Sequence, residues 1–320
     1  MNTKNSTKSH MVRTAAILTL IMLFAALPVW PAGAVSLDIT SVGSGTWDAT
    51  AWPNTQRSGT ITVTSGSSTV IGTGTAFTAE LSAGNIIKTN DVPPVPIGVV
   101  ASIVSDTQLT LTTNSPTTWT GIDYLVQGVG PADNATIDSS HTVTIAANAV
   151  NQTGTVTVNT GGTLVVSNPG TVFNILTVNG TVSATNNVAF GELIVNSGGI
   201  VNAAGSGAYT ASSLTINSGG AMNILRNFIV DSATTIAGTI NFSSTDATGR
   251  DVIFLGPVTL ETGATWNEST SGNGSNNSYD FFSDFTNNAT VFVTSDNSTH
   301  SFGGTGKTLD GSTNTSIARL

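Results

Sequence analysis

The chain has 320 residues, no Cys, only 8% charged residues and a formal net charge of −9. That balance excludes a phosphate-backbone partner, and the missing Cys excludes a disulfide-stapled domain and a thiolate metal site. Gly, Thr, Ser, Asn and Val dominate after the first thirty residues, so strands and tight turns are expected rather than long helices.

In chain order the first element is a leader. Lys4, Lys8 and Arg13 precede an apolar run over residues 15–27, and Ala32-Gly33-Ala34 supplies the small residues that signal peptidase needs. The run is shorter than the about 20 residues of a spanning helix. Residues 1–34 are therefore expected to be a signal peptide cut after Ala34, with an uncleaved anchor as the alternative. The mature chain is then exported, has no membrane span, and lies outside the cell or on its surface. It keeps six basic residues against all eighteen acidic ones, a balance of −12.

Residues 45–54, GTWDATAWPN, and residues 129–145, VGPADNATIDSSHTVTI, read as two halves of one motif. Trp47, Trp52, Asp133, Ile137, His141 and Val143 carry it. It resembles the stretch that precedes the β-helix in secreted, adhesin-like bacterial repeat surface proteins. It is also similar to the start of the domain family named for its eight glycines. In that family a Gly often precedes the His, where this chain has Ser139-Ser140. The resemblance implies a β-helical surface protein and no reaction. Residues 35–55 and 129–148 are accordingly expected to form the N-terminal cap and first coils. Trp47 and Trp52 would cover strand edges that are otherwise open, and Asp133 and His141 take structural roles.

Residues 56–128 interrupt this motif with a phrase of their own. SGTITVTSGSSTVIGTGTAF is followed by IIKT, by VVASIVSDTQLTLTT and by GIDYLVQ. The pattern resembles a small all-β module of phage tail and bacterial surface proteins, with Asn85 where that module usually has Asp. An insertion is tolerated where its two ends meet at a surface loop.

Residues 149–320 carry a repeat. VNTGGTLVV, LTVNGTVSA, LIVNSGGIV and LTINSGGAM place Asn159, Asn179, Asn196 and Asn217 at steps of 20, 17 and 21. Around each Asn the apolar residues alternate, as in Val156, Val158, Leu164 and Val166, which is the pattern of strands with one buried face. The Gly residues suit tight corners. One such unit cannot bury its apolar face alone, and stacking solves that. The expected fold is all-β, a parallel β-helix of about seven or eight coils. The four Asn are expected to stack as a corner ladder. Residues 267–278, without an apolar side chain, read as a projecting loop. The C-terminal GGTGKTLDGSTNTSIARL reads as the middle of a coil, as if the gene continued or that end bound a partner.

Catalytic sets are hard to find. The mature chain has two His, at 141 and 300, and no HExxH, so neither a metal nor another cofactor is expected. His141 sits in the structural motif, and His300 reads as a solvent-facing strand residue. Because many β-helix proteins cleave polysaccharides, the acids are candidates for that role. Neighbouring carboxylates or a basic residue beside acids would be needed. The densest group is Asp246, Arg250 and Asp251, with Glu261 the next candidate; its plainer reading is a loop with a local ion pair. Phe281, Phe282 and Phe285, flanked by Asp280 and Asp284, read as closing the core. The leading expectation is a non-enzymatic stalk or matrix component meeting a glycan or cell-surface partner. A β-helix lyase or hydrolase and a carbohydrate-binding module protein are the alternatives.

Overall fold

The computed structural model describes residues 36–205, 208–242, 250–268, 277–295, 298–303 and 306–315. The expected leader, residues 1–34, lies outside them, as do most of the 267–278 loop and the last five residues.

Alternating apolar residues become strands, and the strands stack into a parallel β-solenoid of about seven turns. Each turn contributes to two sheets. Sheet A has 14 strands and sheet B has nine. In sheet B the inward column runs through Val143, Leu164, Val182, Val201, Met222 and Ile240, each in register with the next. It continues as Trp266 and Phe292. In sheet A, Val156, Leu176, Leu193 and Leu214 align in the same way. These residues belong to one hydrophobic cluster that reaches from Ile39 to Ala289. Burying each such side chain stabilises by about 1.5–3 kcal/mol. A single coil would leave them wet, so the column forms only by stacking.

The Gly-Gly corners have two separate causes. Gly161, Gly198 and Gly219 have φ of +83°, +79° and +81°, a conformation that L side chains avoid. The following Gly is needed for space. A Cβ on Gly199 would lie 2.2 Å from the Val178 carbonyl oxygen of the coil below. The uneven period also has its explanation here. Corner 159–162 has four residues, whereas corner 179–180 has two, yet the flanking strands keep register.

Toward the C-terminal end the core becomes aromatic. Phe254, Phe281 and Phe302 stack at 5.4 and 4.9 Å between ring centroids. Phe281 and Phe285 are buried, while Phe282 is 47% exposed.

The third sheet is antiparallel. Its eight strands fall between Asn54–Gln56 and Tyr124–Gln127. It has its own core, built on Ile61, Val70, Phe77, Ile87, Leu109 and Val126. One short helix, Phe77–Glu80, lies in this segment.

Candidate functional site

The antiparallel sheet is fastened to the first coils by buried polar bonds. Arg57 pairs with both carboxylate oxygens of Asp133, at 2.8 and 2.6 Å. The Asp133 oxygens also accept the backbone N–H groups of Leu37 and Gly130. Beside this pair, Ser58 donates its N–H and hydroxyl to buried Glu80, and Asn85 donates to the Asp48 carbonyl at 2.8 Å. Burial, then the Glu80 charge, pushes the Tyr124 phenol well above its usual range. Trp47 and Trp52 pack edge to face at 5.3 Å in the main core, and Trp47 also meets Phe173. Trp47 and Asp48 line a small cleft of about 60 Å³ at this seam.

His141 is half-buried, and its Nδ1 lies 2.8 Å from the Ser41 hydroxyl. The preceding Ser140 has φ +64°, in the left-handed region that favours Gly. Asp138 follows the strand Asn134–Ile137. The Ser139 backbone N–H, and then the Asn159 amide, hold its carboxyl below the usual range.

Of the four repeat Asn, three form a ladder. Asn196 donates to Asn179 at 2.8 Å, and Asn217 to Asn196 at 2.7 Å. Asn159 donates instead to Asp138. A second ladder crosses the outer face of sheet B: Asn223 to Asn202, Asn241 to Asn223 and Asn267 to Asn241, at 2.8, 2.9 and 3.2 Å. Sequence reasoning missed it because these Asn sit inside strands, where no repeated phrase marks them.

The suspected catalytic residues are only partly together. Asp246 lies outside the described residues. Asp251 is exposed and opens the strand Asp251–Phe254, directly after Arg250. Glu261 follows Val258–Leu260 on the same edge of the same coil. Residues 252 and 258 align with residues 209 and 214 two coils below, on either side of a break in the inward phase at Ser212 and Ser213, so Asp251 and Glu261 stand at opposite ends of this segment. The structure does not bring Glu261 to that group. Asp280 lies diagonally across from Asp251 on the next coil, with its carboxylate bonded to Ser278 and Ser301.

His300 corrects the solvent-facing reading: it is only 2% exposed. Its Nε2 lies 2.9 Å from Oε1 of buried Glu268, which also accepts Trp266 Nε1–H at 2.7 Å. The Ser295 N–H donates to the other oxygen. Tyr279 stacks on the imidazole at 5.1 Å, and burial raises its phenol, with the Glu268 charge adding to the effect. The signal was present in THSF, where His300 shares the phase of inward Phe302.

Among the described residues no group of three or more His, Asp or Glu is placed to hold a metal ion, and no helix is long and apolar enough to cross a membrane. Comparison with known proteins finds no family model, no curated protein and no solved structure that matches the chain.

Proposed function

We propose that the protein is an exported, non-enzymatic β-helix protein of the extracellular space or cell surface. It would act as an adhesin-like stalk or matrix component that meets a glycan or another surface partner. One observation carries the reading. A separate antiparallel sheet is clamped to the first coils through the buried Arg57–Asp133 pair, at one end of a stack of about seven turns. A stiff rod with a module fixed to it suits display at a distance. The stacking supports the same use, since each added coil contacts only its neighbours and extends the structure without requiring a new core.

The test is to incubate residues 35–320 with a broad panel of polysaccharides and to score retention together with new reducing or unsaturated ends. Retention without new ends is the expected result. New ends would overturn the non-enzymatic reading and direct attention to Asp246, Arg250 and Asp251.

A further inference from the structure

Sheet B presents an outer surface of unusual chemistry. No strand of this sheet, from Gly45–Thr46 to Val291–Val293, contains a charged residue. Sheet A, by contrast, carries Asp38, Glu192, Asp251, Asp280 and Asp310 in its strands. In a chain of net charge −9, the acids are kept off one face of the rod.

What remains on that face is ordered. One outward column reads Thr163, Thr181, Ile200, Ala221, Thr239 and Thr265, and each residue is in register with the next. The parallel column reads Val165, Ser183, Asn202, Asn223, Asn241 and Asn267. None of these residues is buried. Successive rungs stand about 4.8 Å apart, so the eight strands from Thr142–Ile145 to Val291–Val293 span about 34 Å. The amide ladder fixes its own geometry. An Asn side chain has two N–H donors and two lone pairs, and each rung-to-rung bond uses one donor of one residue and one lone pair of the next. The amide planes are thus oriented before any partner arrives, which removes an ordering cost from binding.

We infer that the outer face of sheet B binds the surface of an ordered, neutral polysaccharide. Charge complementarity selects this occupant. The face offers no cation to a uronate or phosphate polymer, and the net negative chain repels both. It offers donors, acceptors and methyl groups in alternation, which match the hydroxyls and C–H faces of uncharged sugar rings. The repetition matters as much as the chemistry. Each rung adds a weak, uncharged contact at the same spacing, so the gain is largest with a partner that repeats as well. A free oligosaccharide engages few rungs and is held weakly. This inference rests on the non-enzymatic surface reading for its biological setting, but not for its geometry.

The experiment measures partition of residues 35–320 onto washed crystalline cellulose and onto chitin, with soluble oligosaccharides as competitors. Two sheet B variants, Thr181→Lys and Asn223→Lys, are compared with Thr177→Lys and Thr215→Lys on sheet A, and thermal midpoints confirm that all four fold. Retention on at least one polymer is expected to be unchanged between about 0.05 and about 0.5 M salt, because no ion pair contributes. It should fall about tenfold or more in each sheet B variant, equivalent to about 1.4 kcal/mol, and hold in the sheet A variants. No retention on either polymer, equal loss from both sheets, or loss with added salt would each overturn the inference. So would growth-shaping of ice crystals without polysaccharide retention, since the partner would then be a water lattice. Product ends are scored in the same tubes. Cleavage with sheet B-dependent retention would overturn the non-enzymatic reading and leave this inference standing.

Discussion

The guanidinium of Arg57 grips both carboxylate oxygens of Asp133, 76 residues away in sequence, with both side chains shut off from solvent. Two points of contact fix direction as well as distance, so the antiparallel sheet is held in one orientation on the first coil.

The first prediction concerns that pair. Replacing Arg57 with Met leaves the Asp133 charge buried with only two backbone N–H donors. Breaking one side of a buried pair costs about 3–5 kcal/mol. Urea unfolding followed by circular dichroism should show the loss. A change below about 1 kcal/mol would mean that the pair is not sealed from water.

The corner glycines separate two effects. At Gly198 an added Cβ meets nothing within 4 Å, but φ is +79°. Gly198→Ala should therefore cost only the conformational penalty, about 1–2 kcal/mol. At Gly199 the added Cβ strikes the backbone of the coil below, and Gly199→Ala should cost clearly more. Denaturant midpoints of the two variants rank the causes, and equal losses would refute this division.

Ser140 invites the opposite change. Its φ of +64° is strained for a residue with a Cβ. Ser140→Gly should raise the thermal midpoint, with a gain of up to about 1 kcal/mol, and Ser140→Val should lower it. A fall on introducing Gly would show that the serine makes a contribution larger than the strain it carries.

Alkali should unfold the protein through its tyrosines. Tyr124, Tyr209 and Tyr279 are the three the chain contains, and burial raises all three above the ordinary value of 10.0. The folded state thus favours the neutral phenols. The stability they confer is complete below pH 10.0 and declines as pH climbs toward the raised values. Absorbance of ionised tyrosine should appear together with the loss of circular dichroism. Ionisation well before unfolding would contradict the burial.

The β-helix was legible because its signal is local. Alternation at Leu164 and Val166, followed by the same pattern at Leu193 and Val195, needs no knowledge of partners. Corner roles were legible at Gly161 and Gly198 for the same reason. The Asn202 to Asn267 ladder was not, because corners of two and four residues shift the spacing between equivalent strands. Only the register between coils aligns them. Glu268 and His300, 32 residues apart, meet for a reason that no short window contains. That Asp251 and Glu261 lie at opposite ends of one segment is likewise visible only in the register between coils.

The unequal corners have an evolutionary consequence. Because a corner can shorten from four residues to two while the strands beside it stay aligned, small insertions and deletions there are absorbed without displacing the buried column. Whole coils can then be duplicated or lost between neighbours that already fit. Each such event would change the length of the stack in increments of about 4.8 Å, which lets a lineage adjust that length by copying what it already has.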